Sequence, residues 1–247
     1  MSYTYAEAYE FASIGTARTI EDIRKILILN IAQNLIWQSY DWRWTIGNLY
    51  PFWLVPYEQD FGSPIVAVPD DLERLQRANI IHLNPGGPIP TRNKLEVERE
   101  LDLTDVLGIP RQISLIRASR SLRLWPRCPG GVCAPLYMIE SSYKKLPTIV
   151  GSDYQTVNIP SQDHQIGMWI DAITYAYYKI TKDPKSGEVR TNSNGQVFFT
   201  GALAAAMAAI KTEAMNEGLD QGDPQIAPSE GLLINYSPSL YGYGPFL

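Results

Sequence analysis

Four carboxylates recur at every second position: Glu96, Glu98, Glu100 and Asp102. On an extended strand, neighbours of this kind lie about 7 Å apart on one face. That is the reach of a glycosidase acid–base pair or of a cation site. The residues between them, Leu95, Val97, Arg99, Leu101 and Leu103, are mostly apolar. An acidic face backed by an apolar one is also what any half-solvated strand displays. The solvated face is therefore the expected reading, and no catalytic residue is assigned there. Asp163-His164 precedes a helical pattern and could supply a general base, but reads better as a surface histidine beside a helix cap. His82 follows an apolar stretch and is expected to be structural. Cys128 and Cys133 make only half a zinc site and no disulfide framework. Free thiols are the expected state, with a local disulfide next. Asn84-Pro85-Gly86-Gly87-Pro88 lacks the lysine and hydroxyl residue of a phosphate cradle. The sequence holds no G-x-S-x-G, H-E-x-x-H or G-x-G-x-x-G. No cofactor and no metal is implied.

Aromatic residues are the less ordinary feature, with 6 Trp, 15 Tyr and 6 Phe. Trp37, Tyr40, Trp42, Trp44, Tyr50, Phe52, Trp53 and Tyr57 form a cluster in sequence. Most are expected to be core that joins a first helix to a sheet. An interface patch and a sugar-binding platform are the other readings.

The elements that would position these residues follow from periodicity. Residues 18–37 predict a helix, with Ile20, Ile23, Leu27 and Ile31 at helical spacing, Ile26, Leu29, Leu35 and Ile36 widening the apolar stripe, and Glu21, Asp22, Arg24, Lys25 and Gln33 on the other side. Tyr40, Trp42, Trp44 and Ile46 alternate as on an extended chain. Short strands are predicted at 49–55, 65–68, 136–139 and 156–159, and a short helix from Pro69 through Arg77. Leu95 to Leu103 reads as a strand. Ile113, Leu115, Leu122 and Leu124 mark one or two more, which carry Arg111, Arg117, Arg120, Arg123 and Arg127. Cross-strand ion pairs between the acidic and arginine-rich strands are expected. Ser161 opens a second long helix, and residues 198–216 form an alanine-rich third.

The chain has 247 residues, a net charge of −5 and 45% hydrophobic residues, which is ordinary folded composition. The acidic balance argues against a protein that coats nucleic acid. No secretory signal and no apolar run near the bilayer length is present, so a soluble protein made in the cytoplasm is expected. The fold class expected is α+β: a helical bundle with an inserted antiparallel β-rich domain and an extended C-terminal arm. The expected boundaries are an N-terminal segment at 1–17, the bundle at 18–40 and 160–217, the β-rich domain at 41–159 and the arm at 218–247. After Glu230 the arm has no charged side chain, yet holds Ile234, Tyr236, Leu240, Tyr241, Tyr243, Phe246 and Leu247. A purely solvating tail would be polar and charged. The arm is therefore expected to dock in another subunit, with packing on its own domain as the alternative.

In order and spacing, several motifs resemble the head–tail adaptor (connector, or gatekeeper) proteins beneath the portal of tailed phages, above all short-tailed ones. They are a helix ending in Trp37, then Tyr40-Asp41-Trp42-Arg43-Trp44, a Pro-punctuated stretch from Leu49 to Pro69, and Gly108-Ile109-Pro110. Leu122-Arg123-Leu124-Trp125-Pro126, the Tyr143 to Pro147 segment and Asn158-Ile159-Pro160 complete the series. The resemblance covers about residues 18–217. The Cys128 to Cys133 loop, the longer N-terminal segment and the long aromatic tail depart from it.

The resemblance implies a virion structural protein without enzymatic activity, at the neck or portal vertex. It implies a twelvefold homo-oligomeric ring between the portal protein and a tail nozzle or tube protein, with DNA passing non-specifically through its channel and no membrane partner. The arm residues named above would then face the portal or a neighbouring subunit. Glu96, Glu98, Glu100 and Asp102 become channel-lining candidates, since twelve copies carry roughly −60 in total and an acidic wall repels phosphate. A nozzle or tube component and a carbohydrate-binding or glycan-cleaving module are the alternatives.

Overall fold

Thr4 and Glu7 begin the first helix with a reciprocal cap. The Glu7 N–H donates to Thr4 Oγ1 at 3.2 Å, and the Thr4 N–H donates to the Glu7 carboxylate at 2.7 Å. Helix α1 (Tyr5–Ser13) then buries Tyr5, Ala8, Tyr9 and Ala12 on one stripe. The computed structural model describes residues 2–14, 22–63, 65–83, 91–99, 106–130 and 137–219. The chain divides into two compact units, residues 1–44 with 147–247, and residues 45–146.

The first unit is built on α1, α2 (Asp22–Ser39), α3 (Ile166–Ile180) and α4 (Gly201–Asn216). Helix α3 is central, since α1, α2 and α4 all pack against it. Its Trp169 is fully buried and meets the Tyr5 ring edge-on at 5.6 Å. Helix α2 buries Leu29, Leu35 and Ile36 of its expected wide stripe, but not Leu27, which is exposed. Ile28 and Ala32 are buried with them. Gln33, expected on the polar side, is buried and donates to the Thr148 carbonyl at 2.6 Å. Buried Asn30 donates to the Val150 carbonyl at 3.0 Å and accepts from the Val150 N–H at 2.9 Å. Two side-chain amides thus hold the irregular strip at 148–150, and Asn30 satisfies both backbone groups of buried Val150. Entry to α4 requires glycine. Gly187 has φ +76°, and a Cβ there would lie 1.7 Å from the Thr200 carbonyl oxygen. A small hairpin of β9 (Val189–Thr191) and β10 (Val197–Phe199) precedes α4.

The second unit is a curled sheet. Its strands are β1 (Ile46–Asn48), β2 (Phe52–Trp53), β3 (Asp60–Phe61), β4 (Leu72–His82), β5 (Thr91–Val97), β6 (Gln112–Ile116), β7 (Ser121–Trp125) and β8 (Tyr137–Lys145). The path runs β1-β8-β4-β5-β6-β7-β3, and β2 also pairs with β8. The pairs are antiparallel except β5 with β6, which is parallel. One continuous segment, residues 46–61, therefore pairs with β8 at one end of the path and with β7 at the other. Leu75, Ala78, Ile80, Leu95, Ile113, Leu122, Leu124 and Ile139 are among the residues that fill this unit's own core.

The expected fold class is corrected. The chain is mixed and dominated by its sheet, with four α-helices among the described residues, and is not a helical bundle carrying an inserted antiparallel domain. Two long strands account for much of the difference. The predicted short helix to Arg77 is part of β4, 11 residues long, and β8 runs for 9 where a strand of four was expected. Strand β4 reads as helical for a physical reason. Its register with β8 shifts between Leu72 and Arg74 and again between Leu75 and Arg77. Each shift inserts one extra residue, so the buried Leu72, Leu75 and Ala78 recur every third position.

Three smaller expectations are also corrected. Residues 156–159 form no strand beyond a single bridge between Thr4 and Asn158. Residues 65–68 are irregular. The Tyr40 to Ile46 stretch is not extended, for Arg43–Thr45 is a tight 3₁₀ turn that buries Trp42. Strands β6 and β7 lie where their leucines and isoleucines predicted them.

Candidate functional site

From Trp44 to Tyr57 there is no charged residue. The later part of this run lies along the edge of the curled sheet. The Leu49 N–H donates to the Ser141 carbonyl at 2.9 Å, and the Leu54 N–H to the Tyr137 carbonyl at 3.0 Å. These bonds turn Leu49, Phe52 and Leu54 into the core, where Phe52 meets Phe61 at 5.3 Å between ring centroids. Alternation then sends the intervening residues outward. Tyr50 is 91% exposed, Trp53 47%, Val55 38% and Tyr57 58%. Between Asn48, opposite Ser142, and Phe52, opposite Ile139, the edge has one residue more than β8. The surplus falls at Tyr50-Pro51, both of them exposed. Here both faces of the segment are apolar or aromatic, whereas a sheet surface meant for water carries polar residues outward.

Two close contacts hold this edge in place. Gly47 lies opposite Tyr143 in the ladder, and a Cβ at Gly47 would come within 2.5 Å of the Tyr143 ring. That ring is buried, and its hydroxyl donates to Asp71 at 3.2 Å. Burial first, and then the Asp71 charge, raise the Tyr143 pKa and keep the phenol neutral. At the other end, Tyr57 has φ +60°, a backbone state uncommon outside glycine. Its N–H donates to the Cys128 carbonyl at 2.8 Å, and a Cβ at Gly130 would sit 2.8 Å from its ring. Cys128 is buried and disulfide-bonded. The sequence holds one other cysteine, Cys133, and the expectation of free thiols is corrected. Disulfide-bonded Cys128 and nearby Gly130 thus back an exposed tyrosine in an unfavourable conformation.

The rest of the aromatic cluster separates cleanly. Trp37, Trp42 and Phe52 are buried, and Tyr40 and Trp44 are half-buried. Trp42 and Trp44 stack with 20° between their planes, but the fully buried Trp42 offers no platform to a sugar.

Glu96 and Glu98 are exposed, but so are Val97 and Arg99, because β5 ends at Val97 and the expected alternation does not continue through residue 99. Glu96 accepts from Gln112 at 3.3 Å, and the Glu98 side chain has no partner among the described residues. The exposed side of β5 is not uniformly acidic, because Arg92 and Lys94 precede Glu96 at the same alternation. Arg92 lies 3.6 Å from Glu140. Glu100 and Asp102 lie outside the described residues, as do Ile234, Tyr236, Leu240, Tyr241, Tyr243, Phe246 and Leu247.

Arg117, Arg120 and Arg123 bond partners outside the acidic strand. Arg123 holds Asp60 directly across the β3–β7 ladder, with Nε to Oδ1 and Nη2 to Oδ2 both at 2.6 Å. The hydrogen bond to Asp60 raises the Arg123 pKa further. Arg120 bonds Asp70 and donates to the Val68 carbonyl at 2.8 Å, and Arg117 donates to the Glu73 carbonyl at 3.0 Å. Arg117 and Arg120 line an open groove of about 290 Å³ with Leu72, Leu115 and Leu146. Both guanidiniums there are engaged with the protein's own oxygens. His82 stacks on Tyr137 at 4.6 Å, and exposed His164 lies 3.5 Å from Glu213. Neither is brought beside a nucleophile among the described residues.

No protein-family model and no curated protein matches this sequence. The exposed aromatic edge is the feature that sequence reasoning divided between core and interface. Alternation separates the two sets only on either side of the surplus at Tyr50-Pro51: Leu49 is inward and Tyr50 outward before it, Phe52 and Leu54 inward and Trp53, Val55 and Tyr57 outward after it.

Proposed function

We propose that the chain is a virion structural protein, a head-to-tail adaptor whose copies form a ring between portal and tail with DNA passing through the channel. The observation that carries this reading is the outward face of residues 49–57. It presents Tyr50, Trp53, Val55 and Tyr57 without a charged side chain. Such a face is enriched in the residue types that protein interfaces favour, and it is costly to leave in water. The ordered motifs named above narrow the partner from any protein to the neighbouring rings of a portal vertex. The uncharged arm, residues 231–247, supports it as a second apolar surface in need of cover. The channel role of Glu96 and Glu98 rests on their exposure alone, with Arg92 and Lys94 beside them to temper the field.

Electron cryo-microscopy of the portal vertex tests this reading. The expected result is one ring of this chain directly beneath the portal. Its absence from the vertex, or its placement in a distal nozzle or fibre, would overturn the proposal.

A further inference from the structure

We propose that the outward face of residues 49–57 is the seat for residues 231–247 of a second copy of this chain. Three features select that occupant. Neither partner carries a charged side chain, so the contact buries no unpaired side-chain ion on either side. Both are rich in the same ring and branched side chains. Trp53, Tyr57 and Val55 on the face meet a run in which Leu232, Ile234 and Tyr236 alternate with Leu233, Asn235 and Ser237. The backbone is suited as well. The Leu54 N–H points at β8, so alternation turns the N–H of Trp53 away from it. No strand pairs with that far side among the described residues. An extended segment laid along this edge completes the ladder by strand addition. Pro238 and Pro245 suit the segment to an edge, where a missing N–H can face away from the ladder, and not to the middle of a sheet.

The 28 residues after Leu219 span up to about 95 Å when extended. An arm that leaves one copy and seats on a different surface of the next is a head-to-tail contact, and contacts of that type generate rings. The inference rests on the ring reading only in that it needs an adjacent copy.

The test uses the full chain with a photo-reactive benzoyl-phenylalanine in place of Tyr243, prepared in ordinary and in nitrogen-15 form. The two preparations are mixed at the highest soluble concentration and irradiated. The expected result is a cross-link to peptides containing residues 49–57, half of whose products join light to heavy chains. The Trp53→Ala variant should lower that yield at least tenfold, and Glu98→Gln should leave it unchanged. Cross-links confined to a single copy, cross-links to another surface, or none would each overturn the inference. Failure here is distinguishable from failure of the adaptor reading. A ring at the portal vertex whose 49–57 face is filled by portal would keep the first reading and lose this one, and arm-linked rings found elsewhere in the particle would do the reverse.

Discussion

Strand β5 and the 49–57 edge belong to one sheet, and each has side chains turned away from the core, but they differ in what they show to the outside. Strand β5 presents Arg92, Lys94 and Glu96, charges of both signs that water solvates at no cost. The edge presents Tyr50, Trp53, Val55 and Tyr57. Alternation says which side chains leave the core. The chemistry of the outward set says whether water or another protein is meant to cover them. The contrast also ranks the two candidate surfaces: the charged one tolerates exposure, and the aromatic one calls for a partner.

The most damaging change should be Gly47→Val. The added side chain meets the buried Tyr143 ring, which has no free space to enter. A loss of about 2–3 kcal/mol in urea unfolding is expected, with the aromatic edge displaced. Next is Trp53→Ala, set against Glu98→Gln. The first should weaken self-assembly or partner binding by about 2 kcal/mol, roughly 30-fold, while costing the free chain less than about 1 kcal/mol. The second should change neither. Sedimentation and chemical unfolding of the two variants side by side separate an interface from a merely exposed strand.

Asp60→Asn removes one charge from the paired forks across β3 and β7. Both groups are partly open to solvent, so about 1 kcal/mol is expected after screening. Unfolding in low and high salt measures it, and the variant's deficit should shrink as salt rises. The smallest effect concerns the helical unit. Burial raises the Asp171 carboxyl pKa above its ordinary value. The folded state then holds its proton more tightly than the unfolded one, and this group's contribution to stability falls as pH rises from the ordinary carboxylate value through the raised one. Asp171→Asn should therefore raise the melting temperature at neutral pH, and the gain should vanish below the ordinary aspartate range.

How far the sequence revealed all this depends on whether local spacing and tertiary position agree. In β6 and β7, Ile113, Leu115, Leu122 and Leu124 follow period two, and the strands are where that period puts them. In β4 two register shifts turned period two into period three, and a strand looked like a helix. Helix α1 carries a local signal in the Thr4-x-x-Glu7 cap and the spacing of Tyr5, Ala8, Tyr9 and Ala12, but its nine residues give the helical period little more than two turns in which to show. Gln33 reads as solvated because nothing local shows that residues 148–150 will lie against this helix. The arginines were legible as ion-pair partners, but Asp60 is 63 residues from Arg123, and only the closing of residues 46–61 across both ends of the sheet brings them together. The aromatic edge was legible as aromatic. Its division into inward and outward sets needed the backbone bonds of Leu49 and Leu54.

The central claim is that protein covers Tyr50, Trp53 and Tyr57 when the chain is at work. Hydroxyl-radical footprinting of these three side chains, in the free chain and in assembled particles, tests it most directly. The account predicts strong protection of all three in the particle while the residues of β5 remain as reactive as before. Equal labelling of Tyr50, Trp53 and Tyr57 in both states would contradict it.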